Sequence, residues 1–437
     1  MRRRFTWFAG SHRLAVALSA ALPVLVLARA AGADDALSPG DTAWMMTSTA
    51  LVLMMTVPGL ALFYGGLVRA KNVLSILMQC LISAGLVGVL WVLFGYSLAF
   101  AEGNAFFGGL GKVGLSGITP ETLRGTIPEY VFAIFQGMFA VITPALMIGA
   151  FAERVRFGPY LAFVSAWLVL VYCPLAHMVW GGGWIGGMGA LDFAGGLVVH
   201  MSSGYSALVA AVFLGPRFGF RKVPMPPHSL PLTVIGAALL WVGWFGFNAG
   251  SALAANGTAG LAFLNTSTAT SAAVVGWVII EWVHREKPTV LGAATAAVAG
   301  LVAITPGCAF VTPLGSIAVG LGSAVFCYAA VTLLKPAAGY DDSLDVFGVH
   351  GVGGTWGALA TGLLIADFAL PEGTSWGRQI WIQLGSIGFT AVFASAVTLG
   401  ILLALRAVFG DLRATDEGEA QGLDLSEHSE SAYADVS

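Results

Sequence analysis

The chain has 437 residues, 57% of them hydrophobic and 10% charged, with 58 glycines and a formal net charge of −3. Its mean hydropathy is +0.84, and ordinary soluble domains carry roughly 25% charged residues. Disorder is therefore excluded, no basic run points to nucleic acid, and a helical protein threading the lipid bilayer many times, rather than a soluble globule, is the default.

The N-terminal residues 1–33 stand apart. "MRRRFTWFAGSHR" is basic, "LAVALSAALPVLVLA" is a short apolar core, and "ARAAGADD" offers small-residue cleavage sites. This reads as a secretory signal peptide removed near Ala30 to Asp34, the alternative being a retained first helix. Cleavage would place the mature N-terminus outside the cytoplasmic membrane.

From Asp41 onward, eleven apolar segments each approach the ~20 residues that span a bilayer. They run over 42–68, 73–101, 128–152, 157–177, 192–215, 230–253, 259–284, 289–306, 311–335, 344–368 and 378–408. The predicted fold class is thus an all-α membrane protein of eleven transmembrane helices, its membrane domain covering residues 34–410. With the N-terminus outside, the loops after the odd-numbered segments up to the ninth face the cytoplasm. These carry Arg69, Lys71, Arg154, Arg156, Arg217, Arg221, Lys222, Arg285, Lys287 and Lys335, against Lys112, Arg124 and Arg378 outside. That asymmetry satisfies the positive-inside rule.

Two segments share a pattern. "VHMSSG" at 199–204 and "VHGVGG" at 349–354 both read V-H-x-x-x-G, in segments 5 and 10. Units of five helices must insert with opposite topology, so repeats over about 42–215 and 230–368, plus a final helix at 378–408, predict an inverted duplication. Such repeats place transporter sites near the bilayer midplane, between the halves. His200 and His350 would meet there. Ionisable residues inside a membrane are costly and default to function. The bland alternative is a packing hydrogen bond, worth about 0.6 kcal/mol in membranes. Two histidines in related contexts favour a pore or proton path. No carboxylate or cysteine stands at ligand spacing from either, so neither a metal nor any other cofactor is expected.

Asp192 opens segment 5 in "GALDFAGG", where a carboxylate caps backbone N–H groups or helps attract a cation. Asp345 receives the same reading at the start of segment 10. Three aromatic clusters complete the pattern. Phe132, Phe135 and Phe139 fall on one face of segment 3, Trp180 ends segment 4 in "HMVWGGGW", and Trp241, Trp244, Phe245, Phe247 and Ser251 share the outer half of segment 6. Each alone reads as packing or an interfacial belt. Together they could cage a small cation, with Ser251 as hydrogen-bond acceptor. Cys80, Cys173, Cys308 and Cys327 form no CxxC and read as packing residues. The acidic tail, 411–437, is a cytoplasmic extension, disordered in part or docked on the loops.

These blocks resemble the ammonium transporters of the Amt/MEP/Rh superfamily, on the bacterial Amt branch. "DFAGGLVVHMSSGYSALVAAVFLGPR" fits the family's segment 5 signature, and "VPGLALFYGGLVRAKN", "AHMVWGGG", "GWFGFNAGS" and "DDSLDVFGVHGVGG" match other blocks in order. The resemblance implies a homotrimer in the bacterial inner membrane, each subunit importing ammonium as a nitrogen source through its own apolar pore. It implies an outer recruitment site at Phe139, Trp180 and Ser251, with Phe135 beside it. Phe139 and Phe247 would form the gate, and Trp244, His200 and His350 would line the pore. Asp192 would be the buried acid ordering the recruitment site or assisting with protons. "GLDLSEHSESAY" resembles a regulated C-terminus, which implies a PII-type signalling protein as partner; methylammonium would be a substrate analogue. The alternatives are a passive ammonia or carbon dioxide channel of the Rh type and an ammonium sensor. A membrane enzyme lacks any nucleophile or cofactor motif beside the histidines.

Overall fold

Inside hydrocarbon the backbone must satisfy its own hydrogen bonds, so each apolar segment has helix as its local solution. The computed structural model describes residues 36–433; the expected signal peptide lies outside the described residues. Eleven helices follow the chain: α1 (Pro39–Leu67), α2 (Ala70–Phe100), α3 (Glu129–Phe151), α4 (157–180), α5 (Gly196–Leu214), α6 (Leu230–Gly250), α7 (Gly257–Arg285), α8 (Val290–Ile304), α9 (Pro313–Ala338), α10 (347–363) and α11 (Trp376–Phe409). All but α8 and α10 are long enough by themselves to cross a bilayer. Those two are short because both are enclosed by other helices rather than by lipid; α8 is buried from Ala294 to Ile304. Segment 10 is accordingly shorter than expected, since the chain leaves the helix at Leu364 and turns through Asp367–Ala369. A two-strand hairpin, β1 (Leu123–Arg124) with β2 (Ile127–Pro128), decorates the α2–α3 loop.

The helix starts are written locally. The side chains of Ser38, Ser229, Asn256, Thr289, Thr312 and Ser375 each accept from the backbone N–H three residues on, the N-cap arrangement that satisfies an orphaned donor. Several helices contain π turns, which interrupt the regular ladder. Pro58 explains the one in α1, because it lacks an N–H. The π turns Gly196–Met201 and Phe347–Gly351 open α5 and α10, and each carries one of the paired histidines.

Helices five apart in the chain run antiparallel, so α5 and α10 cross in opposite senses at the centre of the molecule. They touch at glycine: a methyl group on Gly204 would collide with the Gly351 backbone and the His350 carbonyl carbon. Leucine, valine and tryptophan side chains such as Leu81, Val212, Trp381 and Val392 stay exposed on the outside of the bundle, as lipid-facing positions do.

On one side the loops form a charged mesh with the tail. Asp341, 2% exposed, receives two hydrogen bonds from the Arg217 guanidinium, at 2.9 Å each. Arg217 also reaches Glu153 at 3.3 Å, and Glu153 pairs with Arg69 at 2.6 Å. Burial raises the Asp341 pKa, but the hydrogen bond and charge of Arg217 outweigh it and hold the carboxyl below the usual 3.8. Fully buried Arg154 is pushed down to about 10 by desolvation, against the opposing pull of Asp341. The tail is docked on this mesh. Ala414 N–H donates to the Arg154 carbonyl at 2.8 Å, Arg413 donates to the Leu214 carbonyl at 3.0 Å, and Asp424 caps the start of α2 by accepting from Leu74 and Ser75.

Candidate functional site: a column of rings and two histidines

The site is best followed from the side away from the tail. Trp180, the last residue of α4, is half-buried, and its indole N–H donates to the Asp192 carbonyl at 2.8 Å. The Phe139 ring of α3 meets it edge-on, with centroids 6.0 Å apart. Phe247 of α6 then stacks on Phe139 at 4.2 Å and 25°. Below that pair the His200 imidazole lies nearly parallel to Phe247 at 6.0 Å and to Trp244 at 5.4 Å. His350 follows at 5.3 Å. Phe139, Phe247, Trp244 and both histidines are each at most 3% exposed. The cavity around the imidazoles is otherwise walled by Met55, Leu60, Ile142, Leu240 and Val298, and has room for about one water-sized molecule at a time.

Ser251 sits one turn beyond Phe247 and donates its hydroxyl proton to the Phe247 carbonyl at 2.8 Å. Its oxygen lone pairs are thereby left to accept. Phe135 packs edge-on behind Phe139 at 5.0 Å and is fully buried against Gly250, so it supports the Phe139 ring from behind.

The histidine pair is joined through Nδ1 of each ring, 3.2 Å apart. Thr305, which the sequence reading passed over, assigns the protons. Its hydroxyl donates to the Leu301 carbonyl at 2.8 Å, so its lone pairs accept from Trp244 Nε1 at 2.9 Å and from His200 Nε2 at 3.3 Å. His200 then carries its proton on Nε2 and accepts at Nδ1 from His350, whose Nε2 remains the free acceptor of the chain. Nothing in the "AITPGC" stretch flags this threonine locally; only the meeting of α6 and α5 with the end of α8 gives it a role.

Asp192 lies ahead of α5, and its carboxylate accepts four backbone N–H groups: Gly195 at 2.9 Å, Gly196 at 2.5 Å, Leu197 at 2.8 Å and Val198 at 3.1 Å. The turn needs Gly195 at φ 116°, a region that favours glycine. The carboxylate thus builds the π turn beneath His200, while its own backbone carbonyl holds Trp180.

The structure corrects part of the sequence reading. Asp345 does not cap α10: at φ 58° its side chain turns out to Lys335, 2.5 Å away. The cap is Asp342, which accepts from Phe347 N–H at 2.8 Å. Asp342 precedes His350 by eight residues, as Asp192 precedes His200, and that spacing was the readable signal. Phe132 faces away from the column, packing on Phe100 and under the Arg124 guanidinium. Phe245 stacks on Phe263 of α7 at 3.9 Å and takes no part in the cage. Among the described residues no cluster of three potential metal ligands occurs.

Known proteins share this arrangement's sequence and fold. Residues 43–433 match the Ammonium Transporter Family. The ammonium transporter of Bacillus subtilis is 51% identical over 403 residues, spanning 91% of this chain and 99% of that protein. The ammonium transporter of Aquifex aeolicus is 46% identical over 410 residues, spanning 91% and 94%. The crystal structure of Mep2 from Candida albicans superposes with a TM-score of 0.81 at 37% identity, over 88% of this chain and 89% of that one. Full-length similarity at this level, on an eleven-helix frame, is decisive: the chain belongs to the ammonium transporter family and is a multi-pass membrane transport protein.

Proposed function

We propose that this ammonium transporter recruits ammonium at Trp180, Phe139 and Ser251, strips its proton there, and conducts ammonia past the Phe139–Phe247 gate and along His200 and His350. The observation that supports it most is the unbroken column of rings ending in two hydrogen-bonded imidazoles inside an apolar cavity. Magnitudes then choose the species that moves. Burying a bare monovalent cation costs tens of kcal/mol. A desolvated cation–π contact returns only about 2 kcal/mol. The aromatic site can therefore gather the ion but not carry it through. A buried amine gives up its proton readily, as a buried lysine with pKa ~5–6 does. Neutral ammonia can then donate to the free His350 Nε2, while the proton travels separately through the imidazole pair. Asp192, with its oxygens spent on four N–H groups, acts in this scheme by holding Trp180 and His200 in place.

In this reading the chain works as a homotrimer in the bacterial inner membrane, with the mature N-terminus and recruitment site outside and the docked tail in the cytoplasm. The basic loops on the tail side support that orientation, and a PII-type protein would approach the same mesh. A gas channel of the Rh type and a sensor are not favoured, since transporters predominate among relatives of 46–51% identity. Solid-supported-membrane currents from proteoliposomes test the mechanism. His200→Ala combined with His350→Ala should abolish charge-coupled, ammonium-selective uptake. Unchanged currents with potassium still excluded would overturn it.

A further inference from the structure

A third buried histidine takes no part in the pore. His177, 2% exposed, stands one helical turn before Trp180 in α4. Both of its ring nitrogens meet backbone carbonyl oxygens: Nδ1 lies 3.0 Å from that of Ala99, at the end of α2, and Nε2 lies 2.9 Å from that of Asn104, in the loop beyond. Carbonyls only accept, so the ring ties α4 to α2, to this loop, or to both, according to the protons it carries. Its backbone serves the same joint. The Gly181 and Gly183 N–H groups both donate to the His177 carbonyl at 3.0 Å, and Trp184 N–H reaches back to the Ala105 carbonyl at 3.1 Å. Gly181 has no room for a side chain, because a methyl group there would strike the Ala99 carbonyl and His177 Nδ1.

Trp180 depends on this joint. It ends its helix, three glycines follow it, and its indole has one hydrogen bond, to Asp192. Glycine leaves the chain the widest backbone freedom, so the position of the indole is set by how the last turn of α4 is braced. We infer that His177 is a positioning residue for the ammonium-recruitment site. Its ring fastens the turn carrying Trp180 to the end of α2 or to the adjoining loop, and so sets the face that the cation meets. The inference rests on the reading of Trp180 as the recruiting surface.

Ammonium titrations of steady and peak currents in proteoliposomes test it, using four variants. His177→Leu removes the ring's hydrogen bonding and should raise the half-saturating ammonium concentration about tenfold, the worth of about one hydrogen bond, with maximum current within about twofold. His177→Gln restores an N–H donor and should bring half-saturation back to within about threefold of the parent. Asn104→Ala leaves the ring alone but removes the side-chain acceptor that holds Phe106 and Phe107 N–H at 2.8 and 3.1 Å; an intermediate rise is expected. Asn104 is exposed, so this variant and His177→Gln decide the matter if His177→Leu does not fold. Trp180→Leu separates the two readings. If it leaves half-saturation unmoved, the recruitment reading fails. If it shifts half-saturation while the His177 and Asn104 variants lose only maximum current or yield, the positioning inference alone is overturned.

Discussion

Thr305 has one hydroxyl proton and three polar neighbours, and that shortage organises the histidine pair. With the proton given to Leu301, the threonine can only accept from Trp244 and His200. Thr305→Val should leave two buried N–H groups unpaired, each unpaired donor costing about 1–3 kcal/mol. The expected outcome is a lower melting temperature and a fall in ammonium current of about tenfold as His200 loses its fixed tautomer; normal current at unchanged stability would show that Thr305 has no such part. At this scale the sequence was informative about unusual residues only. His200, His350, Trp180 and Phe139 were conspicuous in their contexts, whereas a threonine among alanines and valines was not. Asp345 looked like a cap because it stands near the start of α10, but cap geometry depends on backbone angles that its residue type does not reveal.

Elements explain how the two imidazoles come within 3.2 Å. Each enters on a π turn held by a carboxylate eight residues earlier, Asp192 for His200 and Asp342 for His350, and the helices meet at Gly204 and Gly351. Gly204→Ala places a methyl group against the partner backbone, where no rotamer change can relieve it. Overpacking of this kind costs about 1–3 kcal/mol. Because it acts at the crossing, the variant should lose conduction while retaining ammonium recruitment. The check is binding of ammonium by calorimetry beside current: loss of both, or of neither, contradicts the assignment. The segments themselves were legible because hydropathy reports burial in lipid. The ends of α10 were misjudged, since a helix enclosed by protein can be shorter than the bilayer and its flanking loops equally apolar.

The whole molecule adds a joint between tail and pore domain that no single segment contains. Arg69, Glu153, Arg154, Arg217 and Asp341 come from four loops, and the tail reaches them through Ala414, whose N–H donates to the Arg154 carbonyl. Asp341→Asn leaves the fully buried Arg154 guanidinium without its carboxylate partner and takes one of two from Arg217, a loss of about 3 kcal/mol. Because the folded-state pKa of Asp341 is depressed, its contribution is present above the unfolded value of 3.8 and disappears as the pH falls through the lower, folded value. Melting temperatures in detergent should therefore separate parent from variant at pH 7 and converge below pH 3.8; a constant gap would contradict the ion-pair account. By itself the sequence determined the class of protein, the apolar segments that become its helices and the unusual residues that meet in the central column. Hydropathy and local motif are properties of a chain read in order, and they suffice for those. Tertiary structure alone decided that Asp342 and not Asp345 caps α10, that Thr305 completes the histidine pair, that Phe132 and Phe245 turn away, and that His177 braces Trp180. Each of these depends on a distance between residues far apart in sequence, or on a backbone angle, and neither is encoded in residue type.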